Sequence, residues 1–352
     1  MRAAALLVIT ACGRVGFDAP DALVATPPTA TSRITLAAPP AQPLDDFPLL
    51  LVLDDSRIDR ARLRADASDL RVLAADGTVL PLELDELGPP LLAWVRVPQL
   101  DATTTLTLAY GYATPPPPAT APVWPASYEA VWHMTGDGTL RDSSTHGRDA
   151  VQTLTTDQAG IVGRGRRFDT AQESHAIVAD GMFELPTATL SAWFQYRIAA
   201  GGTSYYNALN RELGDAAQDD FLLGSYQEQP AVIINTTNGD KLDFGNGPAF
   251  PPSTWIHIAA TWDGATLTLY TNGVAGTTGT GGGKLRNTFG PVYIGCGRNN
   301  TNGTTPVGVP DVDFLDGALD ELRIESVARS AAWLAFDVAA MQDGVLAYGP
   351  VP

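Results

Sequence analysis

Residues 253–273, STWIHIAATWDGATLTLYTNG, constrain the fold more than any other stretch of the chain. Apolar and polar side chains alternate, the chain turns at Asp263-Gly264, alternates again, and turns at Asn272-Gly273. A period of two lays alternate side chains on opposite faces of a strand. Asp-Gly and Asn-Gly between alternating runs predict hairpins, because a type I′ turn needs positive φ at both central residues. The stretch therefore predicts an antiparallel meander.

The same rhythm recurs along the chain. Strand-like runs fall at 33–37, 47–53, 69–73, 79–84, 91–97 and 103–112, with one short helix expected at 56–66. A second series follows from 127 onward. Near the end, Ser330 is placed to cap a helix through Met341, with Trp333, Leu334, Val338 and Met341 on one stripe. Residues 346–349 read as a last strand. With 34 Gly, 27 Pro and only 17 % charged residues, the composition favours short strands joined by turns. At 352 residues two cores fit. The expected class is all-β: two β-sandwich domains, 32–112 and 127–352. Between them, 113–126 (ATPPPPATAPVWPA) reads as a semi-rigid polyproline spacer rising ~3.1 Å per residue.

The N-terminus has a charged start, an apolar run over 3–10 and a small residue before Cys12, the pattern of an export signal. ITAC at 9–12 resembles the bacterial lipobox, which implies that Cys12 is acylated and that the protein is tethered to the cell envelope, with the outer membrane or surface favoured. The alternative is an ordinary signal peptide with an incidental Cys. Residues 13–31 then form a flexible tether, and Cys296 is an unpaired, buried thiol.

Two resemblances follow. FP at 47–48, ASDLRV at 67–72, DGTVLP at 76–81 and AWVRVP at 93–98 resemble a bacterial envelope domain of unassigned function that often precedes a laminin-G-like domain. The carrying residues of the second domain are AVWHM at 130–134, DSS at 142–144, Phe168-Asp169, LSAWF at 190–194, WIHIAATWDG at 255–264, LYTNG at 269–273 and FLDGALDELRI at 314–324. In order and spacing they resemble a laminin-G-like member of the concanavalin A-like lectin/glucanase superfamily. That resemblance implies a jelly roll and a glycan or protein ligand. It also implies a structural Ca²⁺. Asp320 is the candidate ligand, since strand parity sets it with Ala318, Leu322 and Ile324 on an apolar face, where a carboxylate needs a cation or hydrogen bonds. Asp142 and Asp169 are secondary candidates. The alternative is that Asp320 accepts backbone N–H bonds with no metal.

Catalytic patterns do not emerge. No G-x-S-x-G or H-E-x-x-H occurs, the four histidines are scattered, and the Gly281-Gly282-Gly283-Lys284 run does not fit a phosphate loop. The superfamily's Glu-x-Asp-x-x-Glu glucanase run is missing from the second domain. Its nearest echo, Glu83 and Asp85, lies in the first domain and reads as the solvated face of a strand. Net charge of −17 disfavours nucleic acid. Tyr205, Tyr206 and Tyr226, in or near polar segments, are the candidate ligand-binding aromatics, with core packing as the alternative. The expected function is non-catalytic binding of a glycan or envelope protein. A structural envelope component and a glycoside hydrolase are the alternatives.

Overall fold

The computed structural model describes residues 25–136, 138–179, 185–197, 205–212, 219–245, 249–286, 290–298 and 309–351. Cys12, the signal and most of the tether lie outside the described residues.

The N-terminal domain is a small sandwich. One sheet orders Leu346–Tyr348, Ala30–Leu36, Thr105–Tyr110 and Arg71–Leu73; the other orders Leu44–Leu53, Leu91–Leu100 and Leu82–Glu86. Ala30 already pairs with Tyr110, and the Thr26 N–H donates to the Thr114 carbonyl at 2.9 Å, so ordered structure begins before the expected end of the tether. The helix expected at 56–66 is a series of turns instead. Asp54, Asp59 and Asp66 each accept a backbone N–H two residues ahead, the local bonding by which Asp diverts a chain from helix.

The C-terminal region is a jelly roll of two eight-stranded antiparallel sheets. The front sheet orders Thr156–Ala159, Arg164–Phe168, Gly317–Glu325, Ala188–Tyr196, Ile256–Trp262, Thr266–Thr271 and Val274–Thr280, with Tyr128–Trp132 also pairing to Gly317–Glu325. The back sheet orders Lys241–Gly245, Gln229–Asn235, Asp219–Tyr226, Tyr205–Glu212, Val292–Ile294, His175–Val178, Ala150–Thr153 and Thr139–Leu140. The meander of 253–273 sits in the front sheet as expected. Asn272 and Gly273 both have positive φ (50° and 75°), as a type I′ turn requires. At the other turn only Gly264 does, and the Asp263 carboxylate accepts the N–H groups of Ala265 and Thr266, which makes an Asx turn.

Every residue of Ile256–Trp262 is buried, although its alternation reads as half-exposed. Ile256, Ile258, Ala260 and Trp262 face the jelly-roll core. The opposite face, with Ala259 and Tyr270, is covered by the helix Ala331–Met341 and the N-terminal domain. Ser330 caps that helix as expected, accepting the Trp333 N–H at 3.2 Å. Trp333, Leu334 and Phe336 complete the N-terminal core, while Val338 and Met341 enter a cluster between the domains. Leu346–Tyr348 then joins the N-terminal sheet through Ala30–Leu36. The tail of the expected 127–352 domain thus belongs in space to the first domain. Gly273 packs so tightly on the helix that a Cβ there would lie 2.7 Å from the Ala335 Cα. The proline stretch is not a free spacer either, since Val123 and Trp124 are buried in the interdomain cluster.

Candidate functional site

Where the two domains meet, charged side chains converge. Residues Leu82–Glu86 form an edge strand with a register shift at Asp85, and Glu83 and Asp85 both reach His133. Their shared face is only partly solvated, contrary to the sequence expectation. It abuts the jelly roll, and the Asp85 side chain is only 3 % exposed. His133 follows the strand Tyr128–Trp132 and is 6 % exposed. Its Nδ1 lies 2.7 Å from Glu321 Oε1 and 4.0 Å from Asp85 Oδ2, and its Nε2 lies 3.5 Å from Glu83 Oε1.

Glu321 reaches this place through a β-bulge. The strand Gly317–Glu325 shifts register against Ala188–Tyr196 between Ser191 and Trp193, and Glu321 has a φ of 47°. A bulge inserts one residue and re-aims side chains. Leu319 faces the core before it, and Leu322 and Ile324 face the core after it. Asp320 pairs with Trp193 and Arg323 with Ser191, so both look toward the N-terminal domain. The parity that placed Asp320 among apolar side chains is broken at the next residue.

Arg323 ties the cluster together. It donates to Glu321 at 2.9 Å and to Asp337 of the helix at 3.2 Å, and its guanidinium lies 4.9 Å from the Trp94 ring centre and 5.0 Å from that of Trp124. Trp124 Nε1 donates to Glu83 at 2.6 Å, and Ser143 Oγ donates to the other Glu83 oxygen. Trp94 stacks on His133 at 5.6 Å. Burial opposes charge on His133, but Glu321 and Asp85 beside it hold its imidazolium well above the usual range. Burial also opposes charge on Glu321 and Glu83, yet His133 keeps both below the ordinary carboxylate range. Burial outweighs His133 at Asp85 and raises it to about 6. Glu83, Asp85 and His133 floor a cleft of about 360 Å³ whose walls carry Thr135, Thr139, Arg141 and Ser143.

Each of the three expected metal ligands makes hydrogen bonds within the chain. Asp320 is fully buried, and its Oδ2 accepts the N–H groups of Ile161 and Val162 at 2.7 and 2.8 Å. Its Oδ1 has no hydrogen-bond partner. Gly160 makes this possible, because a Cβ there would sit 2.4 Å from Asp320 Oδ2. Asp142 organises its loop, accepting from the backbone of Val131, Ser144 and Arg148 and from Ser144 Oγ. Asp169 caps a 3₁₀ turn at the Ala171 N–H and lies 3.4 Å from Arg167. Among the described residues the one cluster with ligand geometry is Asp85, His133 and Glu321, which contains none of these three.

Of the expected aromatics, Tyr205 and Tyr226 come together. They are cross-strand partners with rings stacked at 4.5 Å, and both are half-buried. Burial, with Asp243 and Tyr226 nearby, raises the Tyr205 hydroxyl to about 12. Tyr206 points to the other face and packs on the core. Cys296 is buried and unpaired among the described residues, with burial pushing its thiol well up. His133 and Glu321 were missed by sequence reasoning. The available signal was the density of charge in Asp320-Glu321-Leu322-Arg323, within a strand otherwise apolar.

Residues 169–335 match a laminin-G family model described as the concanavalin A-like lectin/glucanases superfamily. The C-terminal region is thus a laminin-G-like domain of that superfamily. No curated protein matches the chain. Among solved structures, the binding domain of Paraclostridial Mosquitocidal Protein 1 is similar at 14 % identity and a TM-score of 0.47, over 61 % of this chain and 52 % of its own. Domain 4 of AbnA, a GH43 extracellular arabinanase from Geobacillus stearothermophilus solved with arabinotriose, is 17 % identical with a TM-score of 0.45, over 60 % and 98 %. The botulinum neurotoxin type G receptor binding domain is 10 % identical with a TM-score of 0.44, over 60 % and 51 %. The chain spans about half the length of the toxin domains it matches.

Proposed function

We propose that this protein is a non-catalytic binding protein, anchored to the bacterial envelope through Cys12, whose ligand is a glycan held in the interdomain cleft. One observation carries the reading: two domains converge on a concave site lined by charged and hydroxyl groups. Sites of about 300–1,000 Å³ between domains, with a few convergent polar groups, are where ligands usually seat. Arg141, Ser143, Thr135 and Thr139 offer donors and acceptors suited to sugar hydroxyls, and Glu83 offers a charge-assisted acceptor. A glycan array probed with the full chain tests this. Binding that Arg141→Ala and Thr139→Val abolish supports the reading. Binding lost only in Tyr205→Ala or Tyr226→Ala moves the site to the back sheet, and an array with no binding overturns the glycan.

Hydrolysis is the second reading, favoured by Glu83 and Asp85 being held on opposite sides of the ordinary carboxylate range. Release of reducing ends from a bound polysaccharide, lost in Asp85→Asn, would establish it in place of simple binding.

A further inference from the structure

We infer that Asp85, His133 and Glu321 form a site for a divalent cation of the Zn²⁺ class that pins the N-terminal domain to the jelly roll. Their donor atoms all lie within 4.8 Å of one another. One imidazole nitrogen and two carboxylate oxygens suit a borderline cation such as Zn²⁺, whereas Ca²⁺ takes six to eight oxygens. The site is therefore distinct in chemistry and residues from a Ca²⁺ site at Asp320. It also stands independently of the glycan reading.

An independent observation concerns the orientation of His133. The residue is more than nine-tenths buried, and among the described residues its Nε2 makes no hydrogen bond. That nitrogen faces Glu83 Oε1 at 3.5 Å. Glu83 is itself fixed by Trp124 and Ser143. A metal-binding histidine commonly directs its second N–H at a carboxylate, which fixes the tautomer and leaves the first nitrogen free for the metal. Nδ1 is that first nitrogen here; it is hydrogen-bonded to Glu321 Oε1 at 2.7 Å and faces Asp85, so a bound cation would take the place of its proton between the two carboxylates. The carboxylates have outer partners as well: Glu321 Oε2 accepts from Arg323 at 2.9 Å, and Asp85 Oδ2 accepts from Trp94 Nε1 at 3.4 Å.

Charge supports the same conclusion. Glu83, Asp85, Asp320, Glu321 and Asp337 crowd a buried region whose adjacent basic side chains are Arg323, His133 and, beside Asp337, Arg329. Burying an excess of carboxylate is costly unless a cation offsets it. The cleft reaches Asp85 and His133, which gives an ion a route in. Because Asp85 comes from the first domain and His133 and Glu321 from the second, the site is complete only when the two are docked.

The test uses the full chain, stripped with a chelator and titrated with Zn²⁺ alone. Bound metal is counted after gel filtration, and Co²⁺ substitution reports the ligand set by its absorption. One equivalent should remain bound to the wild type and raise its melting temperature. Asp85→Asn and His133→Gln should lose that equivalent, and Glu83→Gln should keep the stoichiometry while binding about 10- to 100-fold more weakly. Circular dichroism of each variant in chelator separates lost ligands from lost folding. A wild type that retains no stoichiometric metal overturns the proposal, whatever the variants do. Folded Asp85→Asn and His133→Gln proteins that bind Zn²⁺ as the wild type does overturn it too.

Discussion

The interdomain cleft and the Tyr205–Tyr226 pair both place polar and aromatic groups side by side, but they are assembled differently. The tyrosines are direct partners in one hairpin and need only that local pairing. The cleft and the charged cluster beneath it draw Glu83 and Asp85 from one domain, Trp124 from the connecting stretch, and His133 and Glu321 from the other. A site of the first kind survives loss of distant contacts. A site of the second kind exists only while the domains are docked, so its groups can be buried and strongly coupled.

The largest expected effect breaks that coupling. Arg323→Ala removes the partner of Glu321 and Asp337 and the cation beside Trp94 and Trp124. Leaving such carboxylates buried should cost about 3–5 kcal/mol in denaturant unfolding. An effect of up to a few kcal/mol, growing with acidity, comes from His257. It is buried edge-on to Trp193, neither ring nitrogen has a hydrogen-bond partner, and burial with Arg323 nearby lowers it to about 3. The unfolded chain takes up its proton below about pH 6.5 while the folded one does not. Stability from this residue is therefore complete above that pH and is lost as pH falls toward 3, so His257→Phe should flatten the acid limb of a stability–pH curve. Trp124→Phe keeps the ring packing but removes the donor to Glu83. A hydrogen bond to a charged group suggests a loss of about 1.5–3 kcal/mol. The smallest effect belongs to the other region: Tyr226→Ala should cost only about 0.2–1 kcal/mol, the worth of a cross-strand pair, and should leave the cleft intact. A loss as large as that of Arg323→Ala would erase the contrast between the two regions.

Much of the architecture was legible because it is written in local periods and turn residues. The meander, the capped helix after Ser330 and the last strand follow from spacing alone. Where the polar faces go did not follow. Alternation told that Glu83 and Asp85 share a face and that His257 and Thr261 oppose Ile256 and Ile258, but not that another domain covers those faces. The bulge at Glu321 defeated parity by one residue, which sent Asp320 to the wrong side and hid Glu321 from notice. Trp124 sat in a run of prolines that reads as spacer, because no local pattern announces that its ring fills an interface.

The most direct measurement of the central claim, that the two domains are joined into one body by a buried charged cleft, is differential scanning calorimetry of the full chain. The account predicts one transition whose calorimetric and van't Hoff enthalpies agree, and a lower, still coincident or newly split transition in Arg323→Ala. Two resolved transitions in the wild type, with neither moved by Arg323→Ala, would contradict it.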